Sequence, residues 1–270
     1  MPLLARTWNV FHGNADPPER RDFLEEMVRV ASADGPDLLA LQEVPVWALR
    51  RLGGWSGMTA VGAVAARPRI GPVPWTGPLG KPITDVHHGF LRSAFTGQAN
   101  AVLVSPRLRV VEQRTLVLNP RRFRREQARW LGLDLVTRLA WAKERRVCLA
   151  VRVALPDGGG TALASSLHAT ALASDDRVPD AELRRAAAFL DGLAAPDEPV
   201  FLCGDTNVAP SRSRTMADLR KWGYSAPGPG IDHVLVRGLP ATEPYVWPEE
   251  RRRVDGRLLS DHAPVEVTAG

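Results

Sequence analysis

Short apolar runs separated by turn residues set the pattern of this chain. They cover residues 3–11, 37–44, 99–105, 146–155, 161–168, 199–204, 231–237 and 263–268. Runs of this length, bounded by Gly, Pro, Asn or Asp, predict β-strands, several of them buried on both faces. Two segments instead repeat at helical spacing. In residues 19–33, Phe23, Met27, Val30 and Ala31 share one face, with Arg and Glu opposite; in residues 180–193, Leu183, Ala187, Leu190 and Leu193 do the same. Asp180 is the expected cap of the second helix, with Pro179 leading into it. Strands outnumber helices and most helical segments lie between strands, which excludes an all-α fold and predicts α/β or α+β. Residues 67–97, rich in Pro and Gly and containing His87 and His88, read as a long loop excursion. Residues 119–143 are strongly basic and only partly periodic, and read as an irregular helix or a loop with a helical end. No internal repeat or Gly/Ser linker divides the chain, so one domain over residues 1–270 is the simplest partition.

Composition narrows the class. Hydrophobic residues make up 44% of the 270 and charged residues 24%, as in an ordinary globular protein, and eight Trp supply a core that a disordered chain lacks. The two cysteines, Cys148 and Cys203, lie inside apolar runs and read as reduced core thiols rather than a disulfide framework. The formal net charge is +5, and only Lys81, Lys143 and Lys221 among the 35 basic residues are lysines. An arginine surplus favours an anionic partner, because guanidinium binds phosphate in a planar, bidentate fork. No run reaches the length of a membrane span and the N-terminus lacks the charged-then-apolar pattern of a signal peptide. The expectation is a cytoplasmic monomer without stable membrane insertion, with secretion of a processed form left open.

Candidate chemistry gathers where strands run out. Asn9, Glu43 and His168 close apolar runs, Asp205 and Asn207 follow one, Asp232 precedes one, and Asp261-His262 stand before the last. Each alone has a structural explanation as a turn, cap or surface charge. Together they make a set of carboxylates, amides and histidines at strand ends, where open sheets collect site residues. Oxygen ligands such as Glu43 and Asp261 suit Mg²⁺ or Mn²⁺, whereas no His or Cys spacing suits zinc. No phosphate-binding Gly loop and no serine-nucleophile elbow is present, so nucleotide-triphosphate and serine hydrolysis lose support.

Six short motifs, Thr7-Trp8-Asn9-Val10, Leu41-Gln42-Glu43-Val44, Ser166-Leu167-His168, Gly204-Asp205-Thr206-Asn207, Ile231-Asp232-His233-Val234 and Ser260-Asp261-His262-Ala263-Pro264, stand in an order that resembles the endonuclease/exonuclease/phosphatase superfamily, the relatives of DNase I and exonuclease III. The resemblance implies a four-layer α/β/β/α sandwich of two mixed sheets flanked by helices. It also implies divalent-metal-dependent phosphoester hydrolysis by in-line attack of water. By motif, Glu43 is the expected main Mg²⁺ ligand, with Asn9 beside it and Asp261 assisting. Asp205 is expected to orient and deprotonate the water, Asn207 to hold it or a phosphate oxygen, and His262, oriented by Asp232, to contact the phosphate. His168 is expected to stabilise phosphate charge or protonate the leaving oxygen; whether Asp205 or His262 is the general base stays open. His168 sits in Ser-Leu-His-Ala where many relatives read Asn-Thr-His-Leu, and His233 replaces a common Tyr.

Peripheral loops decide which phosphoester is cut. Arg121, Arg122, Arg124 and Arg125, with Phe123 and Trp130 interleaved, have the texture of a phosphate-backbone contact with apolar wedges. The expected substrate is therefore DNA, cut with little sequence preference. The alternative is a phosphatase or phosphodiesterase acting on a lipid headgroup or small phosphorylated metabolite, since anionic headgroups attract the same arginines.

Overall fold

The computed structural model describes residues 2–67, 69–70, 73–74, 96–172 and 175–270. The predicted loop excursion with His87 and His88 lies almost wholly outside them. All eight predicted strands form: β1 (Leu3–Asn9), β2 (Leu38–Val44), β4 (Gln98–Val104), β6 (Val147–Ala154), β7 (Thr161–His168), β8 (Val200–Asp205), β9 (Asp232–Arg237) and β11 (Val265–Ala269). The pattern missed β3 (Thr59–Ala66), β5 (Arg109–Val117) and the short β10 (Tyr245–Val246). β3 is built mostly from small residues of weak strand preference, and β5 is a sheet-edge strand whose exposed positions mix Arg109 and Arg114 with Val111, Gln113, Thr115 and Val117 and so show no alternation.

Of the sheets among the described residues, the six-stranded one has the order β10-β11-β1-β2-β4-β3 and the five-stranded one β9-β8-β7-β6-β5; the rest are small ribbons of two or three short strands. Neighbours are antiparallel except β1–β2 and β7–β8, which are parallel. A parallel pair needs a crossover, and each of these carries a helix: α1 (Leu24–Ser32) and, further along, α5 (Arg177–Leu193). The sheets meet through Leu3, Leu38, Val102, Val151, Phe201 and Val236, all buried. On the outer face of the first sheet, Trp8, Leu39 and Leu41 pack under Phe23, Leu24 and Met27 of the α1 region, with α2 (Leu52–Ser56) alongside. On the other, Leu163 and Leu202 pack under Leu183 and Leu190 of α5 and Met216 of α6 (Arg214–Lys221). Helix, sheet, sheet and helix make the four layers, with the apolar outer face of each sheet packed under its helices.

Two helix boundaries depart from the sequence reading. The first helix begins at Leu24 rather than 19, where Asp22 Oδ1 accepts the Leu24 amide at 3.0 Å. The second begins at Arg177, which places Pro179 in the first turn, where a missing N–H is harmless, and Asp180 inside the helix. Asp180 therefore does not cap its own helix. Its carboxylate accepts from the Ser213 hydroxyl and, at 3.2 Å, from the Thr215 amide, bolting α5 to the start of α6. The basic segment 119–143 folds as two helices, α3 (Arg121–Trp130) and α4 (Leu135–Lys143), the second capped by Asp134 on the Thr137 amide at 2.8 Å. Cys148 and Cys203 are buried free thiols, and burial pushes both up to about 12.

One glycine is needed by the fold. Gly204 (φ 146°) lies where β8 approaches β7, and a Cβ there would stand 2.0 Å from the Leu167 carbonyl oxygen. Gly204→Ala forces that close strand pair apart, so we expect a loss of about 3 kcal/mol from steric and backbone strain together. Urea unfolding checks it; an unchanged midpoint would contradict the close approach.

Candidate active site

Both sheets deliver side chains to one edge. β1 ends in Asn9, β2 carries Glu43 near its end, β7 ends in His168 and β8 in Asp205, while antiparallel β9 begins there with Asp232. Strand register sets the row: His168 lies opposite Asp205, and Asp205 opposite Asp232. The loop carrying Asp261 and His262 is pinned to it by the Ser260 hydroxyl, which donates to the Asn9 carbonyl at 2.7 Å and accepts from the His262 amide at 3.1 Å. Trp8 Nε1 donates to the His262 carbonyl at 2.9 Å.

The backbone is strained here more than elsewhere. Phe11, His12, Glu43, Asn207 and Ser260 all have positive φ, between 45° and 61°. Non-glycine residues reach that region at a cost on the order of 1–3 kcal/mol each, so surrounding contacts must hold them. At Glu43 the cause is visible. The β2–β4 register shifts between Leu41 and Val44, and this bulge re-aims the Glu43 side chain toward the site.

The hydrogen bonds then assign each group a state. Asn9 Nδ2 donates to Asp205 Oδ2 at 2.9 Å, and Asp205 Oδ1 accepts the Asn207 amide at 3.0 Å. Asn207 Nδ2 donates to the Ala169 carbonyl at 2.9 Å. His168 Nε2 lies 3.4 Å from Asp205 Oδ2 and 3.8 Å from Glu43 Oε1. His262 Nδ1 is 2.7 Å from Asp232 Oδ2, and its Nε2 is 3.9 Å from Asp205 Oδ2 and 4.0 Å from Asp261 Oδ1. Asn9, Glu43, His168, Asp205, Asn207, Asp232, Asp261 and His262 thus lie together at this edge. Burial, with Asp232 adding its charge, pushes the Asp205 carboxyl well above the usual range. Burial works against a charged His262, but the hydrogen bond and charge of Asp232, aided by Asp205 and Asp261, outweigh it and raise the imidazole to about 10. His168 goes the other way: burial first, then the charge of Arg146, hold it well below its ordinary value.

Three contributors escaped the sequence reading. His12, in the tight turn after β1, places Nε2 3.1 Å from Glu43 Oε2. Gln98 Nε2 and Arg146 Nη1 both reach His168 Nδ1, at 2.9 and 3.0 Å. An amide NH₂ and a guanidinium are both donors, so His168 Nδ1 accepts and its proton sits on Nε2, facing Asp205. His12 lay only three residues beyond Asn9; Gln98 and Arg146 flank apolar runs and carried no motif.

The donor set fits a hard divalent cation. Glu43, Asp205 and Asp261 offer carboxylate oxygens, Asn9 an amide oxygen, and the negative charge of Glu43 helps raise the Asp261 carboxyl, after burial. Asp205, Asp232 and His262 also bring ligand atoms within 4.8 Å of one another. His262 Nδ1 is already committed to Asp232, however, so that trio reads as a hydrogen-bonded pair facing a carboxylate rather than as an ion seat.

Two mixed sheets with carboxylates and histidines on one strand-end edge define a class of hydrolytic sandwich proteins. The chain belongs to the Endonuclease/Exonuclease/phosphatase family, whose sequence profile it matches over residues 7–262. Members are phosphoester hydrolases and in general depend on divalent metals. No curated protein matches the sequence. Solved structures share the fold: a mannosyl-6-phosphatase from Bacteroides thetaiotaomicron VPI-5482 (16% identity, 99% of each chain, TM-score 0.65), the human Nocturnin catalytic domain (17%, 100% of this chain and 93% of that one, 0.63) and a humanized D. rerio TDP2 (14%, 100% and 99%, 0.60).

The His262–Asp232 pair has a stability consequence in metal-free protein. A raised imidazole contributes stability that is complete below its unfolded value near 6.5 and lost as pH climbs toward about 10. Wild type should therefore lose its stability advantage over His262→Gln across that window. Chemical denaturation in EDTA at several pH values checks this; a constant difference from pH 6 to 10 would contradict the pairing.

Proposed function

We propose that this chain hydrolyses a phosphoester with Mg²⁺ or Mn²⁺ held by Glu43, Asn9 and Asp261. The observation that carries the reading is the strand-end row His168–Asp205–Asp232, closed by His262. A divalent ion there supplies charge stabilisation to the phosphate and positions water. Asn9 and the Asn207 amide orient the Asp205 carboxylate, which takes the proton of the attacking water. His262 is a poor base at neutral pH because Asp232 keeps it protonated; its Nε2–H instead faces the substrate phosphate and neutralises charge that builds there. His168, neutral and protonated on Nε2, donates a hydrogen bond to a phosphate oxygen. Asn207 contributes its remaining polar capacity beside it, and His12 steadies Glu43.

The choice of substrate rests on the surface beside the site. A DNA nuclease needs Arg121, Arg122, Arg124 and Arg125 to act together on the phosphate backbone. In the folded chain only three of them share a groove: Arg122 pairs with Glu126 at 2.9 Å on an exposed flank, and Arg124, though in the groove with Arg121 and Arg125, spends Nη1 on the Asn119 carbonyl at 2.6 Å. Phe123 is no wedge either, since it packs edge-on against Trp141 with ring centres 6.1 Å apart. Exposed aliphatic side chains stand beside the remaining arginines. This favours a phosphorylated headgroup at a lipid surface as the substrate, with DNA as the second reading, supported by the arginine content.

EDTA should abolish turnover and Mg²⁺ or Mn²⁺ restore it; full activity in chelator would sink the metal assignment. Glu43→Gln and Asp205→Ala should each lower the rate by at least roughly 10²-fold with native circular dichroism. Asp232→Asn should cost less than His262→Ala and add little to it in the double variant, because both act through one imidazole. Supercoiled plasmid, an aryl phosphodiester, an aryl phosphomonoester and a phosphorylated lipid in vesicles separate the substrates. Plasmid cut much faster than the lipid would decide for the nuclease.

A further inference from the structure

The α3–α4 hairpin carries a surface that the hydrolytic site does not use. Trp130, Leu135, Val136 and Leu139 are 77%, 69%, 77% and 57% exposed within ten residues of chain. On α4, Leu135, Val136 and Leu139 share one face, opposite the buried Thr137 and Trp141. Alongside runs a groove of about 530 Å³ lined by Arg121, Arg124, Arg125, Arg129 and Arg138. Arg121, Arg125 and Arg129 are spaced four apart on one face of α3, and Arg138 faces them from α4. None of the residues lining the groove is acidic, and among the described residues none of these four arginines is ion-paired.

We propose that this hairpin docks the protein on an anionic phospholipid bilayer. Headgroup phosphates fill the arginine groove, while Leu135, Val136 and Leu139 enter the acyl boundary and Trp130 lies at headgroup level. The charge alone fits any polyanion, but the apolar ridge does not. A duplex takes an apolar side chain only as a wedge between base steps, not a row of three along a helix face, and single-stranded bases stack on aromatic faces, of which the ridge has one. A bilayer surface takes both halves: cations at the phosphates and apolar groups a few ångströms below. This is surface attachment, since no described helix is long and apolar enough to cross a membrane.

The hairpin is also fixed to the strand-end edge. Trp141 Nε1 of α4 donates to Glu182 Oε1 at 2.6 Å, and the same carboxylate accepts the amide and hydroxyl of Thr170 at 2.6 and 2.8 Å. Thr170 follows His168 by two residues, and Asn119, just before α3, lies 3.4 Å from its hydroxyl. Docking the hairpin therefore fixes the orientation of the site at the surface.

The test reads binding, so it stands or falls apart from the hydrolase reading. The full chain in EDTA is sedimented with phosphatidylcholine vesicles and with vesicles containing 30% phosphatidylglycerol, at low and high salt. We expect partition onto the anionic vesicles only, weakened by salt and accompanied by quenching of tryptophan by brominated lipid. Leu135→Ser/Val136→Ser/Leu139→Ser should reduce partition at least about tenfold, given the apolar area removed. Arg129→Ala/Arg138→Ala should reduce it by roughly fivefold per arginine. These positions are exposed, and native circular dichroism confirms the fold. Failure to bind anionic vesicles, or binding unchanged in both variants, overturns the proposal. So does self-association abolished by the triple serine variant without vesicle binding, or binding to duplex DNA with none to vesicles.

Discussion

Four carboxylates, Glu43, Asp205, Asp232 and Asp261, converge at one edge of the sandwich, and their repulsion in a partly desolvated cleft is the constraint around which the site is organised. Burial raises the cost of negative charge at Asp205 and Asp261, whose carboxyls are displaced upward. Such a cluster survives only if cations, donors or a metal ion offset it. The chain supplies His262 against Asp232, Asn9 and the Asn207 amide against Asp205, and His12 against Glu43. Asp232 Oδ1 is left buried without a partner among the described residues, and the oxygen-rich set of Glu43, Asp205 and Asp261 suits a divalent ion.

The three histidines around these acids are chemically different, and the difference is environmental. His262 is held charged by a carboxylate at 2.7 Å. His168 is held neutral by burial and by a guanidinium at its Nδ1, which also fixes its tautomer. His12 buttresses a carboxylate from a strained turn. One residue type thus provides a cation, a neutral donor and a support, with separation set by packing rather than by sequence context.

The rigidity needed to hold these states comes from both sheets. Gly204 lets β8 close on β7 so that His168 and Asp205 sit side by side. Fully buried Arg6 spans β1, the end of α1 and β11 by binding Asp34 at 2.7 Å together with Glu266, and cross-links the helix to the sheet that carries Asn9. A buried guanidinium adds little net stability but severe loss if a partner is removed, so such a link favours one packing over alternatives. The strained residues at the cleft depend on that framework.

By itself the sequence determined eight strand runs, two amphipathic helices and a set of polar residues at strand ends that the fold gathers at one edge, because those follow from local periodicity and from short motifs. It could not show β3, whose small residues lack a strand signature, or the split of residues 119–143 into two helices. Nor could it find Gln98 and Arg146, which act on His168 only because β4 and β6 bring them there from 70 and 22 residues away. The arginines were legible as charge but not as geometry: helical spacing sends Arg122 to one flank and gathers Arg121, Arg125 and Arg129 on another. Which carboxylate is raised, which imidazole keeps its proton, and which apolar side chains stay in water depend on burial and on partners distant in the chain, and only the tertiary structure decides these.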